Sequence, residues 1–293
     1  MGKHLLGPHV VGKRVVVRRV LRGETGPSGG PAMTDLLGVC TAWADGVCVV
    51  QPETGPPVTI AVADIVSGKP VPPRPAPRLR VSPRDAQVRA LALWPDLETR
   101  PVGDWLLRRS ASSDARRANS VLAMGPSGVE GDYDEVVAFY AGPPAQRPIA
   151  AVLPGSAEDE LFRARGWVLE SHDADTVFQL AGVAAVRRNV RGVPDDHVEV
   201  TEQGHVATAR IGELASGVAA VDGDWVGFRG IAVSPEHRRR GLGLAVMATL
   251  LEWGAERGAT TAYLQVLGDN EPALGLYERL GFVEHHRYRY LAR

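Results

Sequence analysis

The sequence predicts a mixed α/β layer preceded by a small all-β barrel, and three observations predict it. Short β-rich runs crowd the stretch from Leu5 to Val71, five prolines lie between Pro70 and Pro77, and from Ser82 onward strand-like apolar runs alternate with helical periodicity.

The first region contains "RVVVRRVL", "DLLGVCTAW", "GVCVVQP" and "VTIAVADIV", separated by the Gly/Pro-rich stretches "RGETGPSGGPA" and "PETGPP". Several short strands in so few residues predict a barrel. Asp45-Gly46 reads as a tight hairpin turn, because both residue types tolerate positive φ, and that register sets Cys48 opposite Trp43. Cys40 and Cys48 are the only cysteines of the chain, and their spacing fits no zinc or redox pattern. They read as two small buried hydrophobes in a reducing compartment.

"KPVPPRPAPR" cannot pair in a sheet and predicts an extended, stiff connection. Beyond it, "SPRDAQVRALALW", "DYDEVVAFYAG" and "AEDELFRARGW" read as helices, and "NSVLAMG" and "RPIAAVLPG" as buried strands. "HVATARIGEL", "SGVAAVDGD" and "WVGFRGIAVS" read as strands that lead into "VSPEHRRRGLGLAVM". The expected domains are residues 1–76, 77–186 and 187–293.

Composition narrows the function. The chain has 293 residues and 44% hydrophobic content, enough for more than one core. Its 33 Lys and Arg against 34 Asp and Glu give a formal net charge of -1, a balance that does not favour nucleic acid. The N-terminal "MGKHLLGPHVVGKRVVVRRV" breaks each apolar run with a basic residue, unlike a signal peptide, and no run reaches membrane-spanning length. A cytoplasmic protein without membrane attachment is the expectation.

The last third echoes the middle one. Aligning Gly166 of "AVLPGSAEDELFRARGWV" with Gly281 of "QVLGDNEPALGLYERLGFV" sets Phe162 on Tyr277 and Gly155 on Asn270. "GDW" also recurs, at Gly103–Trp105 and Gly223–Trp225, with an insertion or deletion between the two matches. A degenerate duplication accounts for this pattern.

The arginine-glycine stretch has its own physics. "GIAVS" is a β-branched apolar strand, Ser234-Pro235 ends it, and from Leu244 the spacing is that of an amphipathic helix stopping near Gly258. Arg238 to Gly243 therefore lie at a helix N-terminus, where backbone N–H groups lack partners and the helix dipole favours an anion. Glycines permit close backbone approach, and arginines add bidentate donors. The loop is neither a Walker loop nor a GxGxxG dinucleotide loop. A solvated basic turn is the plain alternative.

Arg238-Arg239-Arg240-Gly241-Leu242-Gly243 resembles the signature Arg/Gln-x-x-Gly-x-Gly/Ala of the GCN5-related N-acetyltransferase (GNAT) superfamily. The resemblance continues through the strand "TAYLQV", Asn270, and the helix "PALGLYERLGF" with Tyr277, Gly281 and Phe282, so that it spans Gly230 to Phe282. It implies an α+β GNAT fold, a mixed sheet flanked by helices, and direct acetyl transfer from acetyl-CoA to a primary amine in a ternary complex. It implies that the amides and side chains of Arg239, Arg240, Gly241, Leu242, Gly243 and Leu244, with Arg238, hold the pyrophosphate. The pantetheine arm is then expected beside Ile231, Ala232 and Val233, and Asn270 is expected to contact the cofactor. The tetrahedral intermediate must expel a thiolate that needs a proton, and Tyr277, with an ordinary pKa of about 10, suits that role. The base is not legible: Asp222, Asp224 and Glu213 are nearby carboxylates without a signature. Asn270 is equally suited to capping its helix, and Tyr277 to core packing. His285-His286 read as structural, because neighbours on a strand face opposite ways, and no metal is expected.

The middle segment lacks these parts. It has Phe162 and Gly155 in place of Tyr277 and Asn270, and "ARRANSVLA" supplies Arg116-Arg117 without Gly-x-Gly. It reads as a non-catalytic GNAT-like half that completes the acceptor-side wall of a short C-terminal GNAT domain. The layout, with an SH3-like barrel in front, resembles an actinobacterial group of GNAT proteins, some assigned as N-acetylglutamate synthases. The expected partners are acetyl-CoA and an amine from a small molecule such as glutamate, or from a peptide lysine or N-terminus; a homodimer is compatible. The alternative is a non-catalytic acetyl-CoA sensor, or a peptide- or nucleic-acid-binding module built on the barrel.

Overall fold

The computed structural model describes residues 5–26, 29–71, 76–170, 175–193 and 198–293. It falls into two compact units, Met1–Ala76 and Pro77–Arg293. The prolines Pro72, Pro73 and Pro75 of the expected stiff connection lie outside the described residues.

The first unit is an antiparallel sheet of β1 (Arg14–Thr25), β2 (Pro31–Ala44), β3 (Val47–Pro52), β4 (Val58–Ala61) and β5 (Ile65–Pro70), in the order β4-β3-β2-β1-β5. β4 and β5 are its two edges, and no pairing among the described residues joins them into a closed barrel. Alternation along β1 sends Val15 and Val17 inward onto Cys40, Cys48, Val50 and Ile60. Asp45 and Gly46 both adopt positive φ, 51° and 74°, and Cys48 pairs with Trp43 as the turn chemistry requires. Two expectations are corrected. "VTIAVADIV" is not one strand but β4, a 3-10 turn at Val62–Asp64, and β5. Both ends of the stretch "RGETGPSGGPA" belong to strands, because β1 runs on to Thr25 and β2 begins at Pro31.

The second unit carries one long mixed sheet. Its elements are α1 (Pro83–Arg89), β6 (Leu97–Val102), β7 (Trp105–Ser110), β8 (Val121–Ala123), α2 (Asp132–Ala141), β9 (Ile149–Val152), α3 (Ala157–Ala164), β10 (Val168–Leu169), β11 (Thr176–Gly182) and α4 (Val183–Asn189). There follow β12 (Glu199–Gln203), β13 (Val206–Ile211), β14 (Ala215–Asp222), β15 (Trp225–Val233), α5 (Leu242–Glu256), β16 (Thr261–Leu267), α6 (Glu271–Arg279) and β17 (Val283–Ala292). The strand order is β12-β13-β14-β15-β16-β11-β17-β9-β8-β7-β6, with β10 on β17.

One order of elements occurs twice: three strands, helix, strand, helix, strand. β6-β7-β8-α2-β9-α3-β10 precedes β13-β14-β15-α5-β16-α6-β17, and in each the third strand runs parallel to the fourth, β8 to β9 and β15 to β16. The two runs interlock. β17 pairs with β11 through Val283–Tyr288 and then with β9 and β10 through Arg289–Ala292. β11, which precedes the second run in the chain, lies between β16 and β17 of that run. Position 186/187 falls inside α4, and the sheet is continuous on both sides of it.

Helices cover both faces of the C-terminal strands. Val246, Met247, Leu250 and Leu251 of α5 pack with Val183 and Val186 of α4 on Ala207, Ala219 and Val226. Ala86 of α1 and Ala90 and Leu93 of the following 3-10 turn pack with Phe178, Leu180, Trp225 and Tyr263. Clusters of this size supply most of the folding free energy, at about 25 cal/mol per Å² of apolar surface removed from water.

Candidate active site

β15 approaches the site by parting from its neighbour. It pairs with β16 only from Trp225 to Phe228, against Thr261 to Leu264, although both strands continue beyond. On its other side it stays on β14, but the register slips between Ser216/Val218, so that three steps of β15 (Arg229 to Ala232) match two of β14. Gly230, at φ 61°, lies in that bulge. The extra residue bends β15 away and leaves the edge from Arg229 to Val233 unpaired towards β16. Ile231, Ala232 and Val233 thus lie on a sheet edge with no strand paired on the β16 side.

The loop that follows makes two left-handed turns before α5, with φ 62° at Arg239 and 82° at Gly241, the N-cap. Arg239 in this region is uncommon for a residue with a side chain. The first helical amide that finds a carbonyl is that of Ala245, on Gly241 at 2.9 Å. The amides of Leu242, Gly243 and Leu244 belong to the first turn, where no carbonyl lies one turn back. Arg238, Arg239 and Arg240 are exposed, and among the described residues none forms an ion pair with a carboxylate. Three unneutralised guanidinium groups beside open amides suit a polyphosphate.

The glycines of the motif act differently from each other. Gly241 supplies a positive φ with open space around its α-carbon, whereas a Cβ on Gly243 would lie 3.2 Å from Val233 Cγ2 and 3.7 Å from Ile231 Cγ2. Gly243 therefore seats the helix start against β15.

Asn270 caps α6, its Oδ1 accepting from the Ala273 N–H at 3.3 Å. Tyr277 is half-buried one and a half turns along that helix, edge-on to Phe282 at 5.9 Å between ring centroids. Burial pushes its phenol above the ordinary value, so the hydroxyl is protonated at neutral pH. Tyr277, Ile231, Val233, Leu242 and Leu244 all pack on the same core as α5.

The carboxylates separate by position. Asp222 and Asp224 bound the turn between β14 and β15, roughly 20 Å of strand before the bulge, where Asp222 holds Arg89 at 3.0 Å and Asp224 accepts from Thr260 Oγ1 at 3.0 Å. They are occupied far from the cradle. Glu213 lies at the cradle end, lining a cleft of about 250 Å³ with Ser216, Val233 and Ser234. Arg229, absent from the sequence expectations, enters β15 beside the bulge with its Nε donating to the Leu93 carbonyl at 3.0 Å and its guanidinium 4.4 Å from the Trp94 ring.

The histidine reading needs correction. β17 slips register against β11 between Phe178 and Gln179, so His285 is a bulge residue and both rings lie together, Nδ1 to Nδ1 at 2.7 Å. Among the described residues no group of three His, Cys, Asp or Glu is arranged to hold a metal.

The repeat also needs correction in detail. Parallel pairing makes β8 the counterpart of β15, so the two "GDW" turns, between β6 and β7 and between β14 and β15, are not equivalent. Arg116 and Arg117 precede β8; they contact Glu170 at 2.7 Å and the Tyr288 hydroxyl at 3.2 Å. The counterpart of the arginine loop is Gly125–Gly131, where Gly131 keeps the left-handed N-cap at φ 75° without any arginine. Counted from the helix starts, the cap facing Asn270 is Ser156 and not Gly155, because α3 is one residue shorter than α6.

Comparison with known proteins places the chain in a family. Residues 84–291 match the family described as "Probable histone acetyltransferase Rv0428c C-terminal". The chain is 29% identical over 285 residues to the "Probable histone acetyltransferase Rv0428c" of Mycobacterium tuberculosis, covering 89% of each. It is 27% identical over 244 residues to the "Uncharacterized N-acetyltransferase YobR" of Bacillus subtilis, covering 68% of this chain and 95% of that one. A solved GCN5-related N-acetyltransferase from Kribbella flavida shares the fold with a TM-score of 0.51 at 15% identity, over 72% of this chain and 95% of that one.

Proposed function

The chain belongs to the family described as probable histone acetyltransferase Rv0428c C-terminal and is a GNAT-type, acetyl-CoA-dependent N-acetyltransferase; on that premise we propose that its second run of strands and helices acetylates a primary amine of a peptide or small molecule. The observation that carries this is the parting of β15 from β16 beside an anion cradle. The open amides of Leu242, Gly243 and Leu244 and the guanidinium groups of Arg238, Arg239 and Arg240 would bind the pyrophosphate. The free edge of Ile231, Ala232 and Val233 would align the pantetheine arm, and Asn270, already a cap through Oδ1, would offer its side-chain N–H₂.

Acetyl-CoA supplies the acetyl group as an activated thioester. The chain's own part is to hold that group still, to keep water from it, and to keep a proton at the Tyr277 hydroxyl ready for the departing sulfur. Desolvation of Tyr277 favours its neutral form, which is the donor that this role needs. The acceptor attacks as a neutral amine, and the proton its nitrogen sheds on forming the amide balances the one that Tyr277 gives to the sulfur; Asp222 and Asp224 are too distant to take it, which leaves solvent or Glu213 at the cradle end.

The first run, β6 to β10, is read as a GNAT-like half that has lost acetyl-CoA binding while lending structure to the second. The sheet of residues 14–70 is read as an SH3-like module. The name of the Mycobacterium tuberculosis relative favours a lysine amine of a basic protein as acceptor over a free amino acid. Thiol release from acetyl-CoA, followed against a panel of amino acids, polyamines and lysine peptides, tests this: turnover with one amine class is expected, and no release with any amine would overturn it.

A further inference from the structure

The first run of the repeat carries a second cleft, of about 510 Å³, lined by Trp105, Ser127, Val129, Glu130, Asp132, Glu158 and Leu161 among others. It lies beyond the carboxyl ends of the parallel pair β8 and β9, between the N-termini of α2 and α3. Crevices at that end of parallel strands are where α/β sheets bind ligands. It also corresponds in topology to the cradle after β15.

Its charge is opposite. Where the second run has three arginines, this one has Glu130, Asp132 and Glu158. Acidic residues in a helix's first turn are ordinary in themselves. Glu158 is not: it is only 5% exposed, it lines the cleft, and among the described residues it has neither a hydrogen bond nor an ion pair. Its stem is buried, but its carboxylate oxygens are not among the buried atoms that lack a partner, so the small part of the residue that stays accessible is the charged end facing the cleft. The nearby cations are committed elsewhere: Arg163 to Asp159 at 2.6 Å, Arg289 to Asp175 at 2.8 Å, and Arg165 over the Tyr133 ring at 4.3 Å.

The remaining wall is apolar. Trp105 turns its Nε1–H away to the Gly125 carbonyl at 2.7 Å, and Val129 is 45% exposed at the rim. Asp132 already accepts from Ser127 Oγ, which leaves Glu158 and Glu130 to meet a ligand. The carboxylates do not converge as metal ligands would. An apolar slot ending in unpaired carboxylates fits an ammonium group on an alkyl chain.

We propose that this cleft is a binding site for an alkylammonium ligand, with Glu158 as its main counter-charge and Glu130 at its mouth. The site is separate from the proposed acetyl-transfer site and does not depend on it. Free amines and lysine side chains share this chemistry. Isothermal titration calorimetry of the full chain at low salt, with 1,4-diaminobutane in one arm and a terminally blocked lysine dipeptide in the other, distinguishes them.

Saturable binding of at least one probe is expected, and it should weaken at least tenfold in both Glu158→Gln and Glu130→Lys. The first substitution keeps the shape and removes the charge; the second places a lysine of the chain at an exposed rim position, where folding is not at stake. Binding only by the diamine assigns the site to free amines, and binding only by the dipeptide assigns it to side chains. No saturable heat with either probe overturns the proposal. So does unchanged affinity in the two variants at unchanged melting temperature, because an amine bound at the acetyl-transfer site would survive both substitutions.

Discussion

Gly243 on α5 and Val233 on β15 are so close that a Cβ on the glycine would stand 3.2 Å from Val233 Cγ2. The helix that ends the anion cradle is thereby fixed against the strand whose edge is left free. One contact sets the relative position of the free strand edge and the open first turn of α5.

This closeness separates two substitutions. Gly243→Ala should push the helix start away from β15 by a few tenths of an ångström and weaken acetyl-CoA modestly. Gly243→Asp sets a larger, charged side chain against Val233 and Ile231, so it displaces the helix start further and adds a negative charge to the turn that carries the open amides, and it should weaken binding well beyond the tenfold that about 1.4 kcal/mol represents. Titration of acetyl-CoA into both variants checks this; equal affinities for Asp and wild type, with the fold intact, would remove the cradle from the reading.

A stability prediction arises where β15 and β16 still pair. Gly227 faces Tyr263, and a Cβ there would overlap the Tyr263 ring, whose hydroxyl donates to the Arg89 carbonyl at 3.0 Å. Tyr263 is closed in by Phe178 and Trp225 and cannot swing aside. Gly227→Ala should cost about 3 kcal/mol or more, since overpacking forces both strands to shift. Chemical denaturation should show it as a lower midpoint.

Such points explain what was legible in the sequence. The strand, turn and helix around Arg238–Gly243 were, because their signals are local and adjoin in the chain. The positions of Asp222 and Asp224 were not, because proximity to a site in sequence says nothing about which end of a strand faces it. The order of the sheet was equally hidden. β11 is an apolar strand of ordinary composition and β17 a largely polar one, and nothing in "TVFQLAG" signals that it lies beside β16, so far ahead in the chain. The hairpin β6–β7 shows in the sequence only through its "GDW" turn, whose likeness to the turn before β15 does not join corresponding elements. His285 shows the same limit on a small scale, since alternation along a strand fails at a bulge.

His286 gives a pH dependence. It is buried against Phe178, its Nε2 lies 3.2 Å from Gln87 Nε2, and burial with the neighbouring His285 pushes its pKa down to about 3. The folded chain therefore holds it neutral, while the unfolded chain takes up a proton below about pH 6.5. Stability should be unaffected above that pH and should fall as pH drops from about 6.5 towards 3, by at most about 1.4 kcal/mol per pH unit from this residue. His286→Gln should show a shallower loss over the same range, whatever its stability at pH 8; identical slopes would show that another group governs the acid limb.

Tyr277→Phe tests the chemistry. The substitution keeps the ring and its edge-on contact with Phe282, and it deletes a hydroxyl that has no partner among the described residues. If that hydroxyl delivers the proton to the departing sulfur, turnover should fall by about 10²- to 10⁴-fold while acetyl-CoA affinity hardly changes, because the lost interaction matters in the transition state. The converse change in the first run is uninformative about activity but predictable in stability. Phe162 is fully buried between Trp105, Tyr133 and Trp167, so Phe162→Tyr must bury a hydroxyl without a partner, at about 1–3 kcal/mol, and should add no turnover. Steady-state kinetics and cofactor titration on Tyr277→Phe decide the matter. Wild-type turnover on the true acceptor would exclude Tyr277 as the acid and leave a water molecule or the substrate to protonate the thiolate.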